Sequence, residues 1–158
     1  MRPFDGQRPL TRDIQIVRFR LRQLERVLWI ERASFGKQAW PRRSFLELYE
    51  DCPELFVVAK LAGRIAAYMA TCVEKGDAEI VSLAVHPDFR RQGLADALMR
   101  HTLHALGKAG VRRVELMVRT GNAAGRQLYK SHRFRKVRLV RRYYEDGGDG
   151  VLMVRALQ

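Results

Sequence analysis

Residues 78–95 read Ala78-Glu79-Ile80-Val81-Ser82-Leu83-Ala84-Val85-His86-Pro87-Asp88-Phe89-Arg90-Arg91-Gln92-Gly93-Leu94-Ala95. The first eight residues are apolar enough for a buried strand. Pro87 has no N–H to give to a ladder, so the strand ends at His86-Pro87. Gly93 permits a tight backbone path, and the small Ala95 lets a ligand approach the main chain. Beyond them Ala95, Leu98, Met99, Thr102, Leu103 and Leu106 share one helical face, and Gly107 or Gly110 ends that helix. A strand, a glycine loop and a helix in this order aim successive N–H groups at one point, a nest for phosphate oxygens. Arg90 and Arg91 add positive charge. Glycine turns before helices are common, so this stretch alone does not fix a ligand.

Working outward, residues 14–20 alternate as a first strand. Leu24, Val27, Leu28 and Glu31 then follow helical spacing, predicting a helix from Leu21 to about Ala33. Pro41 precedes a short helix carrying Phe45, Leu46 and Tyr49. Residues 55–61 and 64–73 form a hairpin about Ala62-Gly63, and Gly76-Asp77 turns into the strand at 78–85. Downstream come a strand at 114–119, a helix at 123–132, an alternating strand at 134–144 with Val137, Leu139, Arg141 and Tyr143 on one side, a loop at 146–150, and a last strand at 151–157. An antiparallel block followed by β-α-β-α-β-β is α/β, with a mixed sheet of about seven strands and about four flanking helices. The domain spans residues 13–158, and residues 1–12, with Pro3, Gly6 and Pro9, read as a flexible basic tail.

Composition bounds the rest. A chain of 158 residues is one domain, large enough to bury about 68–70% of its unfolded surface without staples. No apolar run approaches the ~20 residues of a membrane span, and the basic start lacks the apolar stretch of a secretory signal. Cys52 and Cys72 are too few for a disulfide framework or a four-cysteine zinc site, and they read as core or helix-end residues in a reducing cytosol. His101 and His104 lie three apart on a helix with no third ligand, so no metal is expected. Thirty Lys and Arg against 17 Asp and Glu leave +13. That field attracts anions of any kind, from nucleic acid to phosphorylated cofactors.

A second constellation is Arg119-Thr120-Gly121-Asn122, followed seven residues later by Tyr129. Asn122 suits a helix cap and can bind a ligand as well. Tyr129 lies two turns past the strand end.

Together these features resemble the GCN5-related N-acetyltransferase (GNAT) superfamily, and within it the RimI-type ribosomal-protein alanine N-acetyltransferases. The likeness runs from about Ile14 to Met153. It is carried by Ser82 to Ala95, by Val118-Arg119-Thr120-Gly121-Asn122-Ala123-Ala124 with Leu128-Tyr129, by Glu31-Arg32-Ala33-Ser34-Phe35 with Trp40-Pro41, and by Arg142-Tyr143-Tyr144.

The resemblance implies acetyl-CoA as cosubstrate, held in an opening between the strands that end near Val85 and Arg119. Backbone N–H groups of Arg91, Gln92, Gly93, Leu94 and Ala95 would hold the pyrophosphate, beside Arg90. Leu83 and Val85 would pair with the pantetheine arm, and Asn122 would contact it. Tyr129 would protonate the leaving thiolate. Tyr143 and Tyr144 would cover a peptide acceptor, with Phe35 and Trp40 lining its groove.

Two residues depart from the family pattern. RimI-type enzymes place their proposed base, a glutamate, where this chain has Met117. Glu79 matches the base of the superfamily's histone acetyltransferases, and Glu115 stands about 6–7 Å from Met117 along its strand. Glu79 is the expected base, through a water relay. Arg133-Phe134 replaces the usual Gly-Phe, so a local change of turn is expected there.

Near pH 7.5, deprotonating a lysine costs about 4 kcal/mol, against well under 1 for an α-amine. A chain without the RimI glutamate is easier to reconcile with an N-terminal α-amine on a protein or peptide, ribosomal proteins included. The alternatives are a lysine or small amine as acceptor, and a nucleic-acid-binding module on the same scaffold. No recognition signature for nucleic acid accompanies the charge, so such binding is expected to be weak and non-specific.

Overall fold

The computed structural model describes residues 13–157. The expected tail lies outside them. The elements run β1 (Ile14–Arg18), α1 (Leu24–Phe35), α2 (Arg42–Asp51), β2 (Phe56–Leu61), β3 (Arg64–Glu74), β4 (Asp77–Val85), α3 (Leu94–Lys108), β5 (Arg113–Arg119), α4 (Ala123–Ser131), β6 (Arg135–Val140) and β7 (Gly150–Ala156). A 3-10 turn at Leu21–Gln23 leads into α1, and another at Gly36–Gln38 follows it. The strands form one sheet in the order β1-β2-β3-β4-β5-β7-β6. Only β4 and β5 run parallel among the described pairs, as a helical crossover by α3 requires.

The sheet is covered on both faces at β2–β4. Val27, Leu28 and Ile30 of α1 and Phe45 of α2 pack with Phe19, Phe56, Val58 and Tyr68 in one aromatic-rich cluster. Leu94, Leu98, Met99, Leu103 and Leu106 of α3 pack on the other face against Ala67, Met69, Ile80, Val114 and Leu116. Leu98, Met99, Leu103 and Leu106 belong to the helical stripe visible in the sequence, and each is less than a tenth exposed. Leu94 joins them in the core in place of the foreseen Ala95, which is only partly buried. No described helix is long and apolar enough to cross a membrane.

Three readings of the sequence need correction. The sulfurs of Cys52 and Cys72 are bonded to each other. Cys52 caps α2 and Cys72 stands on β3, so the bond staples helix to sheet across a 20-residue separation. The cysteines therefore supply no argument for a reducing compartment. The strand foreseen at 134–144 stops at Val140. Arg142 takes a left-handed φ of +53°, and its N–H goes to Asp149 Oδ1 at 2.9 Å instead of to a ladder. β6 is also an edge strand, with a bulge at Val137 that leaves this side chain 55% exposed. Finally, Arg133 does not change its turn. It adopts φ +66°, the left-handed conformation glycine would take, and Phe134 N–H still reaches Tyr129 O at 3.0 Å. The arginine bears the strain that glycine avoids.

Candidate active site

β4 and β5 start side by side and then part. Their register runs from Asp77↔Arg113 to Ile80↔Leu116 and stops. β4 continues to Val85 against β3, and β5 continues to Arg119 against β7. At the parting point Val81 is an extra residue, because Ala70 faces Ser82 while Thr71 faces Ile80. Such a bulge bends its strand. The β5-facing edge of residues 81–85 is left without a strand partner among the described residues.

A cavity of about 160 Å³ fills this opening. Leu83, Asn122, Tyr129, Tyr144, Phe35 and Trp40 all line it, so one cavity gathers six of the residues singled out in the sequence. Glu31, Gln38, Ser82, Met117 and Arg119 line it as well.

The glycine loop lies beyond the end of β4. Arg91 and Gly93 both take left-handed φ, +61° and +84°, and α3 starts at Leu94. Among the described residues, no carbonyl or side chain accepts from the N–H groups of residues 91–95, while Ala97 N–H already bonds to Gly93 O. A Cβ on Gly93 would meet nothing within 4 Å, so the backbone there is open to a ligand. Unpaired donors at the start of a 15-residue helix fit a diphosphate. Leu94 contributes only its backbone, since its side chain is 1% exposed in the core. Val85 stands apart from the cavity, and its carbonyl already accepts from Arg90 Nε at 3.2 Å and Ser34 Oγ at 3.3 Å.

Asn122 does cap α4, its Oδ1 accepting from Gly125 N–H at 2.9 Å. Gly125 is essential to that pose, because a Cβ there would lie 2.6 Å from the Asn122 amide nitrogen. Tyr129 is one turn further along α4. Its ring keeps some contact with the cavity, while the surrounding protein removes the phenol from bulk water and pushes its pKa up to about 12. Tyr129 therefore stays protonated throughout the physiological range.

Two segments wall the cavity from the side opposite α3. One is the strap from Gly36 to Pro41 between α1 and α2. The other is the β6–β7 loop, from which Tyr144 lines the cavity. Tyr143 meets Tyr144 edge to face at 4.9 Å but is exposed and does not itself line the cavity. Asp146 in that loop joins the segments. It accepts from Gln38 Nε2 at 2.5 Å and from Arg119 at 3.1 Å, and the Arg119 guanidinium lies 4.0 Å from the centre of the Tyr144 ring. The Gly148 N–H and Arg119 hold the Asp146 carboxyl below the usual carboxylate range.

Glu79 does not line the cavity. It pairs with Cys72 on one side and Glu115 on the other, one step below the parting point. Burial first, and the Glu115 charge second, push its carboxyl above the ordinary range. Tyr143 lies close enough to both glutamates to have its own pKa raised by them, after the larger effect of burial. Met117 packs on β7, where a Cβ on Gly150 would come 2.8 Å from its sulfur. Among the described residues no cluster of three or more His, Cys, Asp or Glu could hold a metal ion.

Glu31 and Ser82 stand in stretches that carry the family resemblance but were given no place in the site, and neither were Gln38 and Asp146. Only Gly125 had a legible signal, an Asn-x-x-Gly spacing at a helix start.

The profile of the Acetyltransferase (GNAT) family matches residues 21–134. A putative [ribosomal protein bS18]-alanine N-acetyltransferase of Bacillus subtilis is 30% identical over 85% of this chain and 89% of its own. An N-alpha-acetyltransferase of Sulfolobus acidocaldarius is 29% identical over 97% of both. The crystal structure of Ard1 from Thermoplasma volcanium superposes with a TM-score of 0.87 at 27% identity, covering 92% of this chain and 98% of that one. With strands that part beside an unpaired helix N-terminus, and a profile spanning most of the fold, the chain belongs to the acetyltransferase (GNAT) family.

Proposed function

We propose that this protein transfers an acetyl group from acetyl-CoA to the α-amino group of a protein N-terminus, by direct attack with both substrates bound. The observation that carries the reading is the cavity between β4 and β5. It has free main-chain groups on the Leu83 side, a tyrosine hydroxyl kept protonated, and two loop walls on the acceptor side. The relatives named for N-terminal or ribosomal-protein alanine acetylation support the choice of acceptor.

Each residue then has a task. The N–H groups of residues 91–95, with Arg90 and Arg91 beside them, hold the diphosphate. The β4 edge at Leu83 and the Asn122 amide align the pantetheine arm, Leu83 in the manner of an added strand. Phe35, Trp40, Tyr143 and Tyr144 form the acceptor groove. As the amine nitrogen bonds to the acetyl carbon and the carbon–sulfur bond breaks, the Tyr129 hydroxyl donates to the departing thiolate. The amine gives up its proton through water to Glu79, whose raised pKa suits that role better than an ordinary glutamate. A ribosomal protein is the favoured acceptor class, which puts the enzyme in the cytoplasm.

The test is acetylation of a peptide library read by mass spectrometry, with free N-termini, blocked N-termini and internal lysines compared. The expected product carries its acetyl group on free N-termini. Modification confined to lysines, or unaffected by N-terminal blocking, would overturn the choice of acceptor.

A further inference from the structure

We propose that Glu31 is a positioning residue for the acceptor: its buried carboxylate ties the strap from Gly36 to Pro41 to the central sheet. This rests on reading the cavity as the acyl-transfer site. Glu31 is 2% exposed, near the end of α1, and has no cationic partner among the described residues. One carboxylate oxygen accepts from the Trp40 N–H at 3.0 Å. The other accepts from the Tyr68 hydroxyl of β3. The Tyr68 and Ser82 hydroxyls lie 2.7 Å apart. With Tyr68 donating to Glu31, its oxygen is free to accept from Ser82. A continuous hydrogen-bonded path thus runs from the strap, through Glu31 and Tyr68, to Ser82 at the edge of the opening.

Apart from the Trp40 ring, which packs beside Phe45 at 6.0 Å, the strap has few other ties to the body of the protein. Its own backbone bonds are local, Ala39 N–H to Gly36 O and Ser44 N–H to Pro41 O. Its other polar tie, Gln38 to Asp146, is exposed and reaches another loop. Gln38 and Trp40 face the cavity from this segment, beside Phe35 at the end of α1. Moving the strap therefore moves the acceptor wall, while the Leu83 edge belongs to β4 and the nest at residues 91–95 to the glycine loop and the start of α3. Burial pushes the Glu31 carboxyl up, and its two donors pull it down. Keeping a carboxylate in such a place without a cation is costly unless its hydrogen bonds are needed. Glutamine can keep both bonds, with its oxygen accepting from Trp40 and its amide donating to Tyr68. Alanine can keep neither.

Two readouts on the full chain test this. The first is amide hydrogen exchange of the segment 36–41, which needs no turnover. Glu31→Ala is expected to speed its exchange at least tenfold, while Glu31→Gln stays within threefold of the parent. The second is steady-state kinetics with an acceptor peptide. Glu31→Ala is expected to raise the acceptor KM about tenfold, leaving the acetyl-CoA KM within twofold, and Glu31→Gln is expected to restore both. Tyr68→Phe keeps the ring and removes the tie to the sheet, so it should shift both readouts in the same direction and replaces Glu31→Ala if that variant does not fold. Unchanged exchange at 36–41, exchange raised equally throughout the chain, or equal rises in both KM values would overturn the proposal. So would a Glu31→Gln variant as impaired as alanine, since Glu31 would then act through its charge. If no peptide is acetylated by the parent protein, the functional reading fails while exchange still decides the role of Glu31.

Discussion

At the scale of single residues, Tyr129 and Glu79 show how environment assigns chemistry. Both are ordinary residue types, and what differs is the water taken from them. A phenol with a pKa near 12 cannot act as a base near neutrality, but it is always available as a donor. Tyr129→Phe is therefore expected to lower kcat about 10²–10⁴-fold, the usual range for acid catalysis, with the acetyl-CoA KM little changed. A variant within threefold of the parent would remove Tyr129 from the chemistry. Glu79 stands in register beside Glu115 on the adjacent parallel strand. Its folded-state pKa is raised, so whatever it contributes to stability is complete below the unfolded value near 4.3 and is lost as pH rises through the folded value. Glu79→Gln removes that loss. Its melting temperature should exceed the parent's by about 0.5–4 °C at pH 7–8, from about 0.2–1 kcal/mol of like-charge repulsion. The difference should vanish near pH 4. A gain that persists at pH 4 would show that repulsion and burial of the charge are not its cause.

Elements explain why the site lies where it does, and how much of it was legible. Helix α3 was readable because five of the six residues foreseen on one face, Leu98, Met99, Thr102, Leu103 and Leu106, are buried together, and the β2–β3 turn because Ala62-Gly63 separates two apolar runs. The parting of β4 and β5 was anticipated only through family resemblance, since it depends on a bulge at Val81 that no spacing announces. The Glu31–Tyr68 tie was illegible for a simpler reason: its partners are 37 residues apart and belong to a helix and a strand. β6 misled because alternation reports a half-buried strand, whereas this strand is at the sheet edge with Val137 and Leu139 exposed. The cysteine pair misled because two thiols in a sequence do not reveal whether the fold brings them together. Its bond closes a short stretch of chain, from the end of α2 to β3. Reduction is expected to cost about 3 kcal/mol in the chain-entropy account, which is about 6–12 °C for a domain of this size. Melting the protein with and without reductant, beside a Cys52→Ser/Cys72→Ser double variant insensitive to it, measures this. Identical melting in all four cases would mean that the bond does not form in solution.

The whole molecule carries +13, and seven of the thirteen residues from Lys130 to Arg142 are Lys or Arg with no acid among them. None of those seven cations is in an ion pair among the described residues. Such a field draws in polyanions, and coenzyme A is one, so the charge that suggests nucleic acid also serves the proposed cosubstrate. What separates the two is local: unpaired donors at one helix start, aimed beside an opened strand edge. The most direct measurement is isothermal titration calorimetry of the full chain with acetyl-CoA at physiological salt. The account predicts uptake of one molecule per chain. Absence of any binding heat across several temperatures, together with an unchanged melting temperature at saturating acetyl-CoA, would contradict it.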